Sequence, residues 1–262
     1  MKYLISAVLL FAPVALLTAQ PVSVFIEDLT WTEIRVAIAG GKKTAIYYAG
    51  STEQNGPHLA VGKHNFIARY LARRVAEELG DALVYPIMPF APTGDPIKKT
   101  QHMRFPGSVS LSEETFSAVA REVALSAIDA GFTNIVLISD HAGGQAALKS
   151  VADGLEAEWH TRGFHVYFIS DAYQKEKDQA REYMDKHKLP FDKHAGLDDT
   201  SELMFIDPHE KWVHKERFTS ANDSSGVLSD PREASVELGK MFITWKVANA
   251  VAQIRTLIST NR

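Results

Sequence analysis

Thr44-Ala45-Ile46-Tyr47-Tyr48-Ala49, running into Gly50-Ser51-Thr52-Glu53-Gln54-Asn55-Gly56-Pro57-His58, is the stretch that decides the fold. The first six residues form a short β-type run. The polar loop that follows is rich in Gly, Pro and His and ends at Gly62. From His64 to Leu79, the residues Ile67, Leu71, Val75 and Leu79 recur on one side, which predicts a helix. Strand, loaded loop and helix together make the repeating unit of a parallel sheet.

The same alternation continues in both directions. Upstream, Trp31–Ala39 reads as a short helix with Trp31, Ile34 and Ile38 on one face, and Thr30 with Glu33 stands at capping-box spacing. Downstream, Ala82–Met88 is a strand candidate, followed by a long loop holding Pro89, Pro92, Pro96 and Pro106. Leu111–Ala130 reads as a helix, with Ser110 and Glu113 as its capping box and Gly131 as its C-cap. Asn134–Ser139 is a buried strand, Gly144–Arg162 a helix, His165–Ser170 a strand, and Glu233–Leu257 a long closing helix. The pattern predicts an α/β fold with a mostly parallel sheet and helices on both faces. With no internal repeat and no domain-scale linker, residues 20–262 are expected to form one domain.

Composition narrows the class. The chain has 262 residues, 45% hydrophobic and 23% charged, with a formal net charge of -4. No basic excess marks a nucleic-acid partner. There is no cysteine, so disulfides, thiolate ligands and lipidated cysteines are excluded. Lys2, the apolar run Tyr3–Leu17 and Thr18-Ala19-Gln20 read as a signal peptide over 1–19, short for a membrane span, with a signal anchor that stays attached as the alternative. The chain is thus expected to be exported, periplasmic or secreted, with no membrane attachment after cleavage.

Loops at the carboxyl ends of parallel strands are where sites form in such sheets. The loop after Ala49 brings Glu53, His58 and His64. The loop after Ser139 is Asp140-His141-Ala142-Gly143-Gly144. Two further loops carry His102 and His194. Five of the ten histidines fall in these four loops, while His160, His165, His187, His209 and His214 lack such a context and read as structural. Imidazole and carboxylate side chains are ligands for borderline and hard cations. There is no His-Glu-x-x-His, no Gly-x-Ser-x-Gly elbow and no P-loop Lys-Ser/Thr pair. Lys63 and Arg104 read as solvated.

Five ordered stretches carry a family resemblance. They are Ser51-Thr52-Glu53-Gln54-Asn55-Gly56-Pro57-His58-Leu59, His102 with Phe105-Pro106-Gly107-Ser108-Val109-Ser110-Leu111, Asp140-His141-Ala142-Gly143-Gly144-Gln145, His194-Ala195-Gly196 with Thr200-Ser201, and Gly226 to Pro231 with Ala234 and Gly239. Together they resemble the creatininase family from about Leu29 to the last helix. The resemblance implies a three-layer α/β/α fold, often hexameric, with one or two divalent metals and hydrolysis of cyclic or linear amides.

Set against the family pattern, Glu53 and His141 are retained at metal-binding positions. Asn55 stands where the family has a second-metal His, His64 where it has a bridging Asp, and Gly143 where some members have Glu. Leu197 and Asp199 replace two glutamates. A neutral imidazole offers a metal only one nitrogen, so His64 cannot bridge two ions. The resemblance thus implies one divalent ion per subunit (Zn, Mn or Fe) on Glu53, His64 and His141.

In this reading His194 is the acid/base, Asp199 or Asp192 orients it, and Asp140 backs the metal ligands. Asn55, His58 and His102 are expected to bind substrate. The expected function is metal-dependent hydrolysis of a non-peptide C–N bond in a small molecule, with creatinine itself disfavoured. The alternatives are a metal-dependent lyase or isomerase on a sugar- or polyol-like substrate, or a non-catalytic small-molecule binder. A homo-oligomer, with a hexamer favoured, is expected from the resemblance. The apolar load of the last helix (Val236, Met241, Phe242, Trp245, Val247, Val251) points the same way.

Overall fold

The computed structural model describes residues 23–191, 193–207 and 209–261. The signal-peptide stretch 1–19 and Asp192 lie outside the described residues. Four strands, β1 (Thr44–Ala49), β2 (Ala82–Val84), β3 (Asn134–Ser139) and β4 (His165–Ile169), form one parallel sheet in the order β2-β1-β3-β4. The helices are α1 (Trp31–Ala39), α2 (Lys63–Leu79), α3 (Glu113–Ala130), α4 (Gln145–Trp159), α5 (Gln174–His187), α6 (Leu197–Ile206) and α7 (Val236–Thr260).

Alternate strand residues feed two cores. Ile46, Tyr48, Val136, Ile138 and Ile169 pack with α2, α6 and α7. Ala45, Tyr47, Ile135, Leu137 and Val166 pack with α1, α3 and α4. The sheet is therefore the middle of three layers, which is why its strands are apolar on both faces. Among the described residues, no helix is long and apolar enough to cross a membrane.

Several details differ from expectation for identifiable reasons. The second strand stops at Val84 because Pro86 has no N–H for the ladder, although Met88 still donates to Tyr48. The α3 cap is Ser112, which accepts from the Thr115 N–H at 3.1 Å. Ser110 instead accepts from the Thr93 N–H at 3.0 Å. The Thr30–Glu33 capping box is present, but Trp31 is 69% exposed beneath the Arg35 guanidinium, and Ala37 is the buried residue of α1.

The apolar load of α7 is largely absorbed within the chain. Phe242, Val247 and Val251 are buried, and Met241 and Trp245 pack on the small cluster shared with Ala180 and Met184 of α5. That helix therefore does not by itself call for a second copy. Gly239 lets α7 cross α6 closely, since a Cβ there would lie 1.8 Å from the Ser201 carbonyl oxygen.

Candidate active site

The strand order reverses between β1 and β3, and the crevice at their carboxyl ends is the expected ligand site of an open parallel sheet. The loop after β1 delivers Glu53, and the first turn of α2 delivers Lys63 and His64. Asp140 and His141 follow β3 directly, with the Asp140 N–H donating to the Ala49 carbonyl at 2.9 Å. His102 comes from a 3-10 turn (Gln101–Arg104), and His194 from the loop before α6. These side chains line a cavity of about 450 Å³.

Glu53 lies at its centre and is 1% exposed. Its Oε1 is 3.2 Å from His64 Nε2 and 3.9 Å from His194 Nδ1. Its Oε2 is 2.7 Å from His141 Nε2 and 3.9 Å from His102 Nε2. Burial works to raise the Glu53 carboxyl, but His141 and His64 outweigh it and hold it well below the ordinary carboxylate range. The ring atoms of His102 and His141 and a Glu53 oxygen all lie within 4.8 Å of one another.

Hydrogen bonds assign the protons. His64 Nδ1 lies 2.8 Å from Asp140 Oδ2, so it donates there, and Nε2 faces Glu53. Burial and Lys63 oppose charge on His64, yet its bonds to Asp140 and Glu53 raise it above the usual imidazole value. His141 Nδ1 sits 3.0 Å from the Gly143 N–H and 3.2 Å from the Gly143 carbonyl, so either tautomer finds a partner.

Gln54 fixes two further rings. Its Oε1 accepts from the Gly56 N–H, so its Nε2 donates to His102 Nδ1 at 3.1 Å, which puts the His102 proton on Nε2. The Gln54 carbonyl can only accept, so His194 Nε2, 2.9 Å away, carries the proton and Nδ1 is left with a lone pair. Burial, followed by Lys63, pushes His194 down to about 3, so its ring is neutral at pH 7. Burial likewise lowers His102.

The structure therefore brings Glu53, His64, His141, His102, His194, Asp140 and Asp199 to one cavity. Asp199 does not hydrogen-bond the His194 ring, which is 3.9 Å away. It accepts from the Ala195 N–H at 2.8 Å and pairs with Lys63 at 2.6 Å, so it fixes the loop that carries His194.

Asn55 and His58, expected to bind substrate, are fully buried outside the cavity lining. Asn55 turns back to donate to the Glu53 carbonyl at 2.9 Å, and His58 Nε2 meets Thr200 Oγ1 at 3.2 Å. Burial lowers His58 to about 4. At Gly143 a Cβ would lie 2.0 Å from the Pro92 carbonyl oxygen, so no side chain fits where some family members have a ligand. None of the five histidines read as structural lines the cavity.

Two lysines escaped the sequence reading. Lys63 is fully buried rather than solvated, whereas Arg104 is indeed exposed, paired with Asp223. Lys246 is buried on α7, with Nζ 3.1 Å from Asp140 Oδ1 and 2.6 Å from Glu202 Oε2. A lone Lys among Phe242, Ile243, Val247 and Ala250 on the apolar face of α7 was the signal that could have found it.

The creatininase (creatinine amidohydrolase) family model matches residues 27–254. The mycofactocin precursor peptide peptidase of Mycolicibacterium smegmatis is 30% identical over 166 residues, 62% of this chain and 57% of that protein. The creatinine amidohydrolase of Pseudomonas putida is 29% identical over 119 residues, 45% of each chain. The chain thus spans about half the length of these two curated relatives. Among solved structures, a mutant creatininase of Zn-Zn type aligns with a TM-score of 0.77 over 89% of this chain and 98% of that one, at 22% identity. A manganese creatininase aligns over the same shares at the same identity, with a TM-score of 0.76. At that identity the likeness is one of fold.

Proposed function

The chain belongs to the creatininase family, and we propose that it is a metal-dependent hydrolase of a non-peptide amide C–N bond in a small molecule. One observation carries this reading: a single buried carboxylate, Glu53, faces imidazoles on both of its oxygens in a cavity of small-molecule size. The relatives named as creatinine amidohydrolase and as a precursor peptide peptidase both act on amide bonds. Solved relatives are named as zinc and manganese forms.

The donor set suits such an ion. Each short imidazole contact to Glu53 needs a proton between nitrogen and oxygen, and a divalent cation would replace those protons. Nitrogen and carboxylate ligands match Zn or Mn. Although ligand atoms of Glu53, His102 and His141 lie within 4.8 Å of one another, the His102 proton is on Nε2, the atom that faces Glu53. His64 has the opposite arrangement, because Asp140 takes the Nδ1 proton and orients Nε2 as a ligand. Glu53, His64 and His141 would therefore hold one ion. Bound there, a divalent ion would polarise a substrate carbonyl and make a water molecule more acidic.

The other side chains have separable tasks. His194 Nδ1 takes a proton within the cavity and returns it to the leaving nitrogen. His102 Nε2–H donates to the substrate carbonyl oxygen, where charge develops. Asp140, held ionised by Lys246, orients His64. Metal analysis with a screen of small amides tests the proposal. One equivalent of Zn or Mn and chelator-sensitive amide turnover would support it, and a metal-loaded protein that cleaves no amide would overturn it.

A further inference from the structure

The charges around the cavity do not balance in the same way at its floor and at its rim. Five cationic side chains line it: Lys63, Lys177, Arg181, Lys193 and Lys246. Three of them end on carboxylates. Lys63 meets Asp199 at 2.6 Å, Lys177 meets Asp198 at 2.5 Å, and Lys246 meets Asp140 and Glu202. The carboxylates of the floor are thereby matched, and Glu53 is matched by its imidazoles.

Arg181 and Lys193 are different. Both are exposed, and neither forms an ion pair with a described residue. Arg181 lies four residues after Lys177 and seven after Gln174, which puts all three on the face of α5 that borders the cavity. Its guanidinium rests over the Phe191 ring at 4.6 Å, which restricts it to the rim. Lys193 immediately precedes His194, and its backbone N–H is anchored on Ser229 Oγ at 2.6 Å.

We infer that the substrate carries an anionic group, most simply a carboxylate, a few atoms from its scissile amide, and that Arg181 and Lys193 dock it. The amide half of this statement rests on the hydrolase reading, but the anion subsite does not. A guanidinium and an ammonium lining the same cavity, with no carboxylate partner among the described residues, form a carboxylate-binding pair of the usual composition. A neutral substrate would offer neither cation a counter-charge beyond what the described residues supply. An anionic one would be drawn toward the site by their field.

Two measurements on the metal-loaded full chain test this. Calorimetry compares succinate with succinamide, and kinetics compare the 4-nitroanilides of succinic acid (anionic) and acetic acid (neutral). Succinate should bind more tightly than succinamide. In R181A/K193A its affinity, and the anionic-to-neutral ratio of kcat/KM, should each fall about tenfold or more, as expected for loss of charge-assisted hydrogen bonds. The double substitution also separates rim binding from a carboxylate seated on the metal, because it leaves the metal ligands intact. Equal binding of succinate and succinamide, or succinate affinity unchanged in the double variant, would overturn the inference. If neither anilide is cleaved while succinate binding is lost in R181A/K193A, the subsite stands and the hydrolase reading fails.

Discussion

Lys246 and Asp140 are joined at 3.1 Å between the last helix and the end of the third strand. Burial works against the charge of each, and each is held ionised largely by the other, with Glu202 adding to the hold on Lys246. Through the opposite oxygen of Asp140 the pair reaches His64 at 2.8 Å. A buried ion pair is costly to desolvate, so its principal effect is on geometry: it fixes which nitrogen of His64 faces Glu53.

Replacing Lys246 by Met removes the cation and leaves Asp140 and Glu202 buried without it. Breaking a buried pair from one side costs about 3–5 kcal/mol. Lys246→Met should lower stability by that order in urea denaturation. It should also weaken metal binding roughly 10- to 100-fold, as loss of outer-shell support does. Competition against a chelator reads the second effect. A variant with wild-type stability and metal affinity would show that the pair holds nothing in place.

The ligand assignment makes three variants differ. His64→Ala should lose most bound metal and activity. Asn55→Ala should keep its metal, because the Asn55 amide is turned to the Glu53 carbonyl. His102→Ala should also keep it while slowing turnover, because the His102 proton sits on the nitrogen facing Glu53. Elemental analysis decides among them. Two equivalents per chain, or full metal in His64→Ala with loss in His102→Ala, would contradict the assignment.

Much of the fold could be read from the sequence because β1 and β3 are buried on both faces and therefore apolar throughout. Both strands fall on the residues expected, Thr44–Ala49 and Asn134–Ser139. Two other helices had weak signals. In α5, Gln174–His187, the buried positions are only Glu176, Ala180 and Met184, so no apolar stripe marks it. In α6, nearly every residue is buried, including Asp198, Asp199, Thr200 and Ser201, and polar burial has no periodic signature. For the site, Glu53, His64, His141 and His194 stood out because they follow strand ends or family motifs. Gln54, which sets the tautomers of His102 and His194, is an ordinary loop residue until the loops are folded together. Asn55 and His58 were misplaced because a loop sequence does not reveal which of its residues turn inward.

The buried carboxylates should make stability depend on pH. Burial, opposed by Lys246 and reinforced by Asp198 and Asp140, raises Glu202 from 4.5 to about 8. An acid with a raised folded-state value binds a proton in the folded chain that the unfolded chain has released. Its contribution is fully present below the unfolded value and is lost as pH rises through the folded one. Between the unfolded and folded values this group makes stability fall as pH rises. Glu202→Gln should therefore flatten the fall in stability between pH 6 and 8, read by urea denaturation at several pH values. Part of the slope should persist, because burial and Asp198 raise Glu176 as well. An unchanged slope would show that Glu202 is already ionised in the folded chain.

His194 should matter for turnover and not for metal. Its Nε2 proton is committed to the Gln54 carbonyl at 2.9 Å, which leaves Nδ1 as the only position at which the ring can accept a proton. That nitrogen faces the cavity beside Glu53 Oε1 and Asp199 Oδ2, both at 3.9 Å. Burial and Lys63 keep the ring neutral well below pH 7, so the lone pair is available across the physiological range. A glutamine at 194 can still offer a hydrogen-bonding group there but cannot carry a proton away from water and return it to a leaving nitrogen. His194→Gln should thus reduce kcat by about 10²- to 10⁴-fold, the usual worth of a positioned acid–base group. KM should change much less, and the metal content should stay at wild-type level. Full activity in this variant would remove His194 from the chemistry, and loss of metal would make it a ligand.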